Sequence, residues 1–263
     1  MSARSFLYVP GHREDALAKA ASRGADALIL DLEDAVPVAA KMAARAAVAA
    51  WLRARPEGVE AWVRINAGEA GREDLAAIGA ACDGVSVPKV SSPGDIPATG
   101  LPVIALIETA AGVLDARSIA SHPRVVRLAV GEADLSAELG VEASPDGNEL
   151  WTARKLVVLA SAAAGVEQPI GPVSTDFRDL DALRASTEAL KRTGFGARAA
   201  IHPAQVPAIN EVFTPGAAEV ERARALIARY EQAGGGATVD DDGRMIDEAV
   251  VRSARRVIER ARP

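Results

Sequence analysis

Two acidic residues follow short apolar segments, and their positions suit the binding of a metal ion. Glu108 comes directly after Val-Ile-Ala-Leu-Ile (103–107), and Asp134 follows Leu-Ala-Val-Gly-Glu-Ala (128–133), about one strand–helix unit later. In a parallel barrel, acids at the ends of neighbouring strands face the mouth, where substrates bind. Two oxygen ligands with room for water and substrate suit Mg²⁺. The alternative is that both acids only cap the helices that follow.

Three further acids, Asp31, Glu33 and Asp34, end another apolar segment. Carboxylates this close repel one another unless a cation or an arginine compensates their charge. We expect them to surround the metal ion and its waters. Alternatively, Asp34 caps a helix that starts near Pro37.

Two basic residues also lie at the ends of strand candidates. Arg64, in Ala-Trp-Val-Arg-Ile-Asn (61–66), needs an anionic partner if it is buried. That partner is either a protein carboxylate or, as its position favours, a substrate carboxylate held by two hydrogen bonds. Lys89 is either a counter-charge for the acids or the Schiff-base lysine of a metal-free aldolase.

Two residues nearer the C-terminus have an open role. His202 precedes Pro203 and is either catalytic or a structural residue at the start of a helix. Asp247 stands where a last helix begins, so it is either an N-cap or an acid/base group carried over the site by a lid.

Short apolar segments alternate with helical patterns along the chain. This alternation predicts an α/β fold, a (β/α)₈ TIM barrel rather than a doubly wound sheet. The strand candidates are residues 6–9, 27–31, 61–66, 84–88, 103–107, 125–130, 168–171 and 199–201. The helix candidates are residues 12–22, 38–53, 72–81, 111–121, 150–164, 178–192 and 215–232.

The composition changes after Gln232. Residues 233–243 combine glycines with clustered aspartates, which predicts a flexible linker, and residues 245–260 resume a helical pattern. We therefore expect a catalytic barrel over 1–232 and a linker with a C-terminal arm or lid helix over 233–263.

The composition narrows the class of protein. The net charge of −6 and the lack of a basic stretch argue against nucleic-acid binding. One cysteine, Cys82, excludes an intrachain disulfide and fits a reducing cytoplasm. The first residues lack the apolar core of a signal peptide, and no apolar run is long enough to span a membrane. These features predict a cytoplasmic enzyme without a membrane partner.

The chain resembles the citrate lyase β-subunit-like family, within the HpcH/HpaI aldolase superfamily. The order and spacing of several short motifs carry this resemblance. They are Arg-Ser-Phe-Leu-Tyr-Val-Pro-Gly (4–11), Leu-Asp-Leu-Glu-Asp-Ala-Val (30–36), Val-Arg-Ile-Asn (63–66), Pro-Lys (88–89), Ile-Glu-Thr-Ala-Ala-Gly (107–112), Gly-Glu-Ala-Asp-Leu (131–135), Ile-His-Pro-Ala-Gln (201–205) and Arg-Met-Ile-Asp (244–247).

The resemblance implies a TIM barrel that uses Mg²⁺ to cleave, reversibly, a 3-hydroxy-acid thioester, usually of coenzyme A. The products would be a keto acid (oxaloacetate, pyruvate or glyoxylate) and an acyl-CoA. It implies Glu108 and Asp134 as metal ligands and Arg64 as the partner of the substrate carboxylate. The backbone of Gly131, Glu132, Ala133 and Asp134 would bind the keto acid's carboxylate. Asp247 matches an aspartate that relatives supply from an adjoining subunit, which implies a homo-oligomer, a trimer or hexamer.

On this basis, Asp247 would protonate the thioester enolate, or abstract its proton in the condensation direction. Coenzyme A would need basic groups near the mouth, and Arg4, Arg13 and Lys19 are candidates. The alternatives are a metal-dependent aldolase acting on free 2-keto-3-deoxy acids and a citrate lyase subunit that needs an acyl-carrier partner. Malate-synthase-like or thioesterase activity is also open.

Overall fold

The computed structural model describes residues 3–142, 144 and 147–261. The chain divides into two compact units, of which the first is Ala3–Glu211 and the second begins at Val212. Each unit is described by itself. The expected division of roles between a catalytic barrel over 1–232 and an arm over 233–263 stays a prediction.

Eight parallel strands close into a barrel in the first unit, which confirms the predicted TIM-barrel architecture. Each strand pairs with the next along the chain, and the first pairs with the eighth. The strands are β1 (Ser5–Pro10), β2 (Ala27–Asp31), β3 (Glu60–Arg64), β4 (Gly84–Val87), β5 (Val103–Ile107), β6 (Val125–Val130), β7 (Glu167–Gly171) and β8 (Ala197–Ala200). Because all run the same way, their C-terminal ends form one rim.

The barrel interior is built mainly from alanine and branched aliphatic side chains, as the low aromatic content of 3% requires. Small side chains such as Ala129 and Ala199 on β6 and β8 leave space beneath the rim. Near the other end, the ring of Trp62 packs on Gly84 so closely that a Cβ there would lie 2.2 Å from the ring. Side chains therefore fill the barrel interior near the N-terminal ends of the strands and leave it open near the C-terminal rim.

Helices follow the strands of this unit. They are α1 (Glu14–Lys19), α2 (Lys41–Ala54), α3 (Gly68–Ile78), α4 (Ala110–Leu114), α5 (Ala116–Ala120), α6 (Glu132–Leu139), α7 (Trp151–Ala164) and α8 (Leu180–Thr193). The predicted helix over 111–121 is broken at Asp115 into α4 and α5. The sequence interpretation missed α6, which begins at the predicted site and is terminated after Leu139 by Gly140, with φ +64°.

The helix α9 (Val206–Phe213), also missed, spans the boundary between the units. The C-terminal unit then contains α10 (Ala217–Gln232) and α11 (Glu248–Ala261), which pack on each other. Between them, residues 233–243 are not helical, as predicted, but they include β9 (Thr238–Val239), which forms a short antiparallel hairpin with β10 (Met245–Ile246). Among the described helices, none combines the length and apolar character that a membrane crossing requires.

Candidate metal and substrate site

A cavity of about 280 Å³ opens at the C-terminal rim of the barrel. Apolar side chains such as Ile29, Leu106 and Ile170 form part of its lining. The charged residues of the lining are five acids and one arginine: Asp31, Asp34, Glu108, Glu132, Asp134 and Arg64. The rim therefore brings together most of the acids that the sequence analysis singled out.

Glu108 stands directly after β5 and is only 3% exposed. Its Oε1 accepts a hydrogen bond of 2.7 Å from the backbone N–H of Lys89. The backbone of Gly131 lies against the same carboxylate, because a Cβ at residue 131 would be 2.3 Å from Oε2. The Glu108 carboxylate is thus fixed between the loops that follow β4 and β6.

The electrostatic surroundings of Glu108 favour a bound cation. Burial, together with the negative charges of Asp134 and Glu33, raises the pKa of Glu108 to about 8. A divalent cation would offset this repulsion and hold the carboxylate ionised. No group of three or more His, Cys, Asp or Glu side chains suited to a metal occurs among the described residues. Two protein carboxylates completed by water and substrate match the coordination habit of Mg²⁺.

Asp134 lies in the first turn of α6 and is half-buried. The first N–H groups of a helix have no partner within the helix, and the helix dipole adds positive charge there. Residues 131–134 line the cavity. This turn therefore offers a carboxylate for a cation and backbone donors for an anion.

Arg64 pairs with protein carboxylates in this structure. Its Nε and Nη2 donate to the two oxygens of Asp31 at 2.7 and 2.6 Å, and its Nη1 lies 3.1 Å from Glu33. Its Cζ lies 5.0 Å from the centre of the Tyr8 ring. Arg64 therefore compensates the negative charge of the clustered acids, and it also lines the cavity.

Lys89 has a φ of +55°, a left-handed conformation that is costly for a residue with a side chain. This backbone geometry directs its N–H to Glu108, while its Nζ donates to Glu33 at 2.7 Å. The hydrogen bond to Glu33 raises the pKa of Lys89. A Schiff-base lysine must lose its proton before it attacks a carbonyl, so this pairing disfavours the Schiff-base alternative.

Glu132 forms a two-point ion pair with Arg154 of α7, a residue that the sequence analysis missed. Arg154 Nη2 lies 2.7 Å from Glu132 Oε2, and Nε contacts Oε1. The missed signal is that Arg154 shares a helix face with Val157 and Ala160, which are buried. A guanidinium on an apolar helix face requires a buried anion.

The three residues expected near coenzyme A do not come together at the rim. Arg4 precedes β1, at the opposite end of the barrel, and its guanidinium pairs with Asp26 at 2.7 and 2.8 Å. Lys19 ends α1, which leads back from the rim towards the start of β2. Arg13 follows β1 on the rim side. The structure thus places Arg4 and Lys19 away from the rim and Arg13 on the rim side, and a contact of these residues with coenzyme A stays a prediction.

His202 and Asp247 both have local structural roles. His202 Nδ1 accepts the N–H of Ala204 at 3.1 Å, and its ring stacks on Phe177. Asp247, in the C-terminal unit, accepts the N–H of Val250 at 3.0 Å and so caps α11. The acid/base role of Asp247 stays a prediction.

Comparison with known proteins agrees with the barrel fold. The model of the HpcH/HpaI aldolase/citrate lyase family matches residues 4–203. The chain therefore belongs to this family, a family of barrel lyases and aldolases.

Individual relatives cover nearly the whole chain. A (3S)-malyl-CoA thioesterase of Cereibacter sphaeroides is 40% identical over 98% of this chain and 94% of its own length. A citrate lyase subunit beta-like protein of Deinococcus radiodurans is 34% identical over 97% of this chain and 96% of its own. The crystal structure of CitE from Mycobacterium tuberculosis, in complex with magnesium, acetoacetate and coenzyme A, has a TM-score of 0.87 and 32% identity. It covers 99% of this chain and 98% of its own.

Proposed function

We propose that the protein is a Mg²⁺-dependent carbon–carbon lyase that acts on 3-hydroxyacyl thioesters of coenzyme A. Cleavage would yield a keto acid and an acyl-CoA, and the reverse reaction would join them. The observation that carries the proposal is the buried carboxylate of Glu108 beside Asp134 in the rim cavity. Among the described residues, no lysine or arginine forms an ion pair with Glu108, so its charge is available to a metal ion.

Glu108 and Asp134 would hold Mg²⁺, with water and substrate oxygens as the other ligands. The bound ion would supply positive charge next to the oxygen atoms on which negative charge develops as the carbon–carbon bond breaks. The raised pKa of Glu108, about 8, supports this assignment because it reflects burial first and then repulsion by Asp134 and Glu33, and a bound cation would offset both. The magnesium in the complex of the Mycobacterium tuberculosis relative supports it as well.

The protein itself would bind and orient the keto acid. The backbone N–H groups of residues 132–134 would donate to its carboxylate at the positive end of α6. Arg64 has five N–H donors, of which Asp31 and Glu33 take three. The remaining donors would contact the same carboxylate. Asp31, Glu33 and Lys89 would then hold the Arg64 guanidinium in place.

Two further features belong to the proposal. Asp247 would give or take the proton at the carbon atom of the acyl unit. If Asp247 acts in the site of a neighbouring subunit, the protein would be a homo-oligomer, a trimer or hexamer. Arg13 would contact the coenzyme A moiety, since it lies on the rim side of the barrel.

The charges of the cavity narrow the choice of keto acid. Among the described lining residues, Arg64 is the one cation, and it is already paired, whereas five are acids. A second substrate carboxylate, as in oxaloacetate, would find repulsion and no additional basic partner. Apolar residues such as Ile170 and Val173 suit a hydrogen atom or a methyl group instead. We therefore favour glyoxylate and pyruvate, which correspond to malyl-CoA and citramalyl-CoA.

Hydrolysis of the thioester is the second candidate function. It is favoured by the 40% identity to a protein described as a (3S)-malyl-CoA thioesterase. The products distinguish the two reactions, because cleavage of malyl-CoA gives acetyl-CoA and glyoxylate, whereas hydrolysis gives malate and free coenzyme A.

The test is to incubate the purified protein and Mg²⁺ with malyl-CoA, citramalyl-CoA, citryl-CoA and free hydroxy-keto acids, and to identify the products by mass spectrometry. We expect keto acid and acyl-CoA from the first two. A Glu108→Gln variant should lose this activity at least 100-fold. Glu57→Gln, which changes an exposed acid outside the cavity, is the matched control and should keep it.

Other results would overturn the proposal. Cleavage of free hydroxy-keto acids alone would identify an aldolase that does not need a thioester. Malate and free coenzyme A as the sole products would favour the second candidate. Full activity in the presence of EDTA, with borohydride trapping of pyruvate on Lys89, would establish the Schiff-base reaction instead.

A further inference from the structure

The ion pair between Arg154 and Glu132 lies directly behind the proposed site. The Arg154 side chain is 10% exposed and that of Glu132 is 19% exposed, so water screens their attraction only weakly. The guanidinium contacts both carboxylate oxygens through two different nitrogens, which fixes the direction as well as the distance. Glu132 is the first residue of α6, two positions before Asp134.

Arg154 is itself held on two sides. Its Cζ lies 4.8 Å from the centre of the Trp151 ring. On another side, Gly147 comes so close that a Cβ there would be 2.8 Å from Arg154 Nη2. A side chain confined in this way loses little further freedom when it binds Glu132, and it holds Glu132 in one place.

Helix α6 has few other tertiary anchors. The N–H of Gly131, which precedes it, donates to the carbonyl of Ile107 at 3.0 Å, and Glu138 near its C-terminal end accepts the N–H of Ala110 at 3.2 Å. The helix spans eight residues, from Glu132 to Leu139, and Leu135 is its one buried side chain. A helix this short is not stable by itself, so its position depends on tertiary contacts. The ion pair supplies such a contact at the end of α6 that carries Asp134.

We propose that Arg154 is a positioning residue that holds the first turn of α6, and with it Asp134 and the N–H groups of residues 132–134, in the geometry that binds metal and keto acid. This inference rests on the proposed function of the site. It adds a residue that does not line the cavity and acts through Glu132. Displacements of about 1 Å at such a site reduce catalysis strongly, so the effect of losing Arg154 should be large.

The experiment compares Arg154→Met, Arg154→Lys and the double variant Arg154→Met/Glu132→Gln with the unchanged protein. Three quantities are measured: amide hydrogen exchange of residues 132–136 without metal, the dissociation constant of Mg²⁺ by calorimetry, and the Tm. We expect Arg154→Met to speed exchange and weaken Mg²⁺ binding at least tenfold. Arg154→Lys, which keeps the charge but loses the two-point contact, should recover part of both.

The double variant separates positioning from charge burial. Because it removes the uncompensated carboxylate, we expect its Tm to recover while exchange stays fast and Mg²⁺ binding stays weak. Recovery of all three quantities would show that the pair only neutralises a buried charge, and would overturn the proposal. If the unchanged protein binds no Mg²⁺, the proposed function fails. The anchoring of α6 would still be supported if amide exchange of residues 132–136 is slow in the unchanged protein and fast in Arg154→Met.

A second perturbation reaches Arg154 from the loop side. Gly147→Ala places a methyl group against the guanidinium, and Gly165→Ala is its control. Both glycines have positive φ, +61° and +71°, but no atom lies within 4 Å of a Cβ at residue 165. We expect faster exchange in α6 and weaker Mg²⁺ binding for Gly147→Ala alone. Equal effects of the two variants on α6 would contradict the proposal.

Discussion

Glu108 differs from Asp31 and Glu33 in how its charge is compensated. Asp31 pairs with Arg64, and Glu33 pairs with Arg64 and Lys89. Glu108 accepts a hydrogen bond from the backbone N–H of Lys89 and forms no ion pair with any described residue. An ionised carboxylate buried in this way destabilises the metal-free fold, and the same feature favours the binding of a cation.

The substitution Glu108→Gln tests whether the buried charge of Glu108 destabilises the metal-free protein. The raised pKa means that the folded protein binds a proton that the unfolded chain releases above pH 4.5, so stability falls as the pH rises from about 4.5 to about 8. Glutamine keeps the acceptor for Lys89 and carries no charge. We expect the metal-free variant to be more stable than the unchanged protein at pH 8 by about 4 kcal/mol. The pKa of Glu108 rises from 4.5 to about 8, and each pKa unit corresponds to about 1.4 kcal/mol.

The measurement is urea unfolding in EDTA at pH 5 and pH 8. The gain from Glu108→Gln should be small at pH 5 and large at pH 8, and Mg²⁺ should stabilise the unchanged protein but not the variant. A difference in stability that does not change with pH would contradict the assignment.

The pair of Asp31 and Arg64 joins the ends of β2 and β3 and should contribute strongly to stability. Asp31 is 1% exposed, so Asp31→Asn leaves a buried guanidinium partly uncompensated. We expect the free energy of unfolding to fall by about 3 kcal/mol. The control, Asp15→Asn, removes an exposed pair with Arg13 that water screens, and it should leave the free energy of unfolding nearly unchanged. Equal effects in urea unfolding would be inconsistent with this view.

Single residues were predictable where their position on a strand was enough. Glu108 and Asp134 reach one cavity because parallel strands end at one rim, as the sequence indicates. The partner of Arg64 was not predictable, because whether a protein or a substrate carboxylate meets a guanidinium depends on side-chain geometry. The same holds for Arg154, whose partner lies on another helix.

At the scale of elements, the site depends on how closely the start of α6 approaches the end of β5. Gly131→Ala tests this approach, because the added methyl group would lie 2.3 Å from Glu108 Oε2 and must push the two apart. We expect Mg²⁺ binding to weaken at least tenfold. Gly100→Ala, where a Cβ meets no atom within 4 Å, should leave it unchanged. Unchanged Mg²⁺ affinity in both variants, measured by calorimetry, would mean that the loop adapts freely.

Elements were predictable in proportion to the clarity of their pattern. The predicted bounds of β2, β5 and β6 match the structure, since each is a mostly apolar run bounded by turn or helix residues. The helix α6 was missed because its eight residues include one buried apolar side chain, too few to show a helical period. The hairpin of β9 and β10 was missed because its strands have two residues each.

At the scale of the whole molecule, the open question is what the C-terminal unit contributes to catalysis. Asp247→Ser separates the two roles of this residue, because serine caps a helix about as well as aspartate but has no carboxylate. We expect the Tm and Mg²⁺ binding to stay unchanged while kcat falls at least tenfold. Unchanged kcat would mean that Asp247 serves only to cap α11.

A mixing experiment extends this test to the assembly. Asp247→Ser and Glu108→Gln proteins, each with low activity, are unfolded and refolded together. If Asp247 acts on a neighbouring subunit, mixed oligomers contain some intact sites and activity returns in part. If the mixture stays as inactive as its components, Asp247 acts within its own chain or not at all.

At the end of the barrel opposite the cavity, ion pairs and hydrogen bonds connect the segments that lead into the strands. Arg4 binds Asp26 there, and Asp83 accepts both the guanidinium of Arg55 and the backbone N–H of Ala61. None of these residues lines the rim cavity. We therefore expect that linking a dye or a solid support to an exposed residue on that side, such as Arg53, preserves turnover.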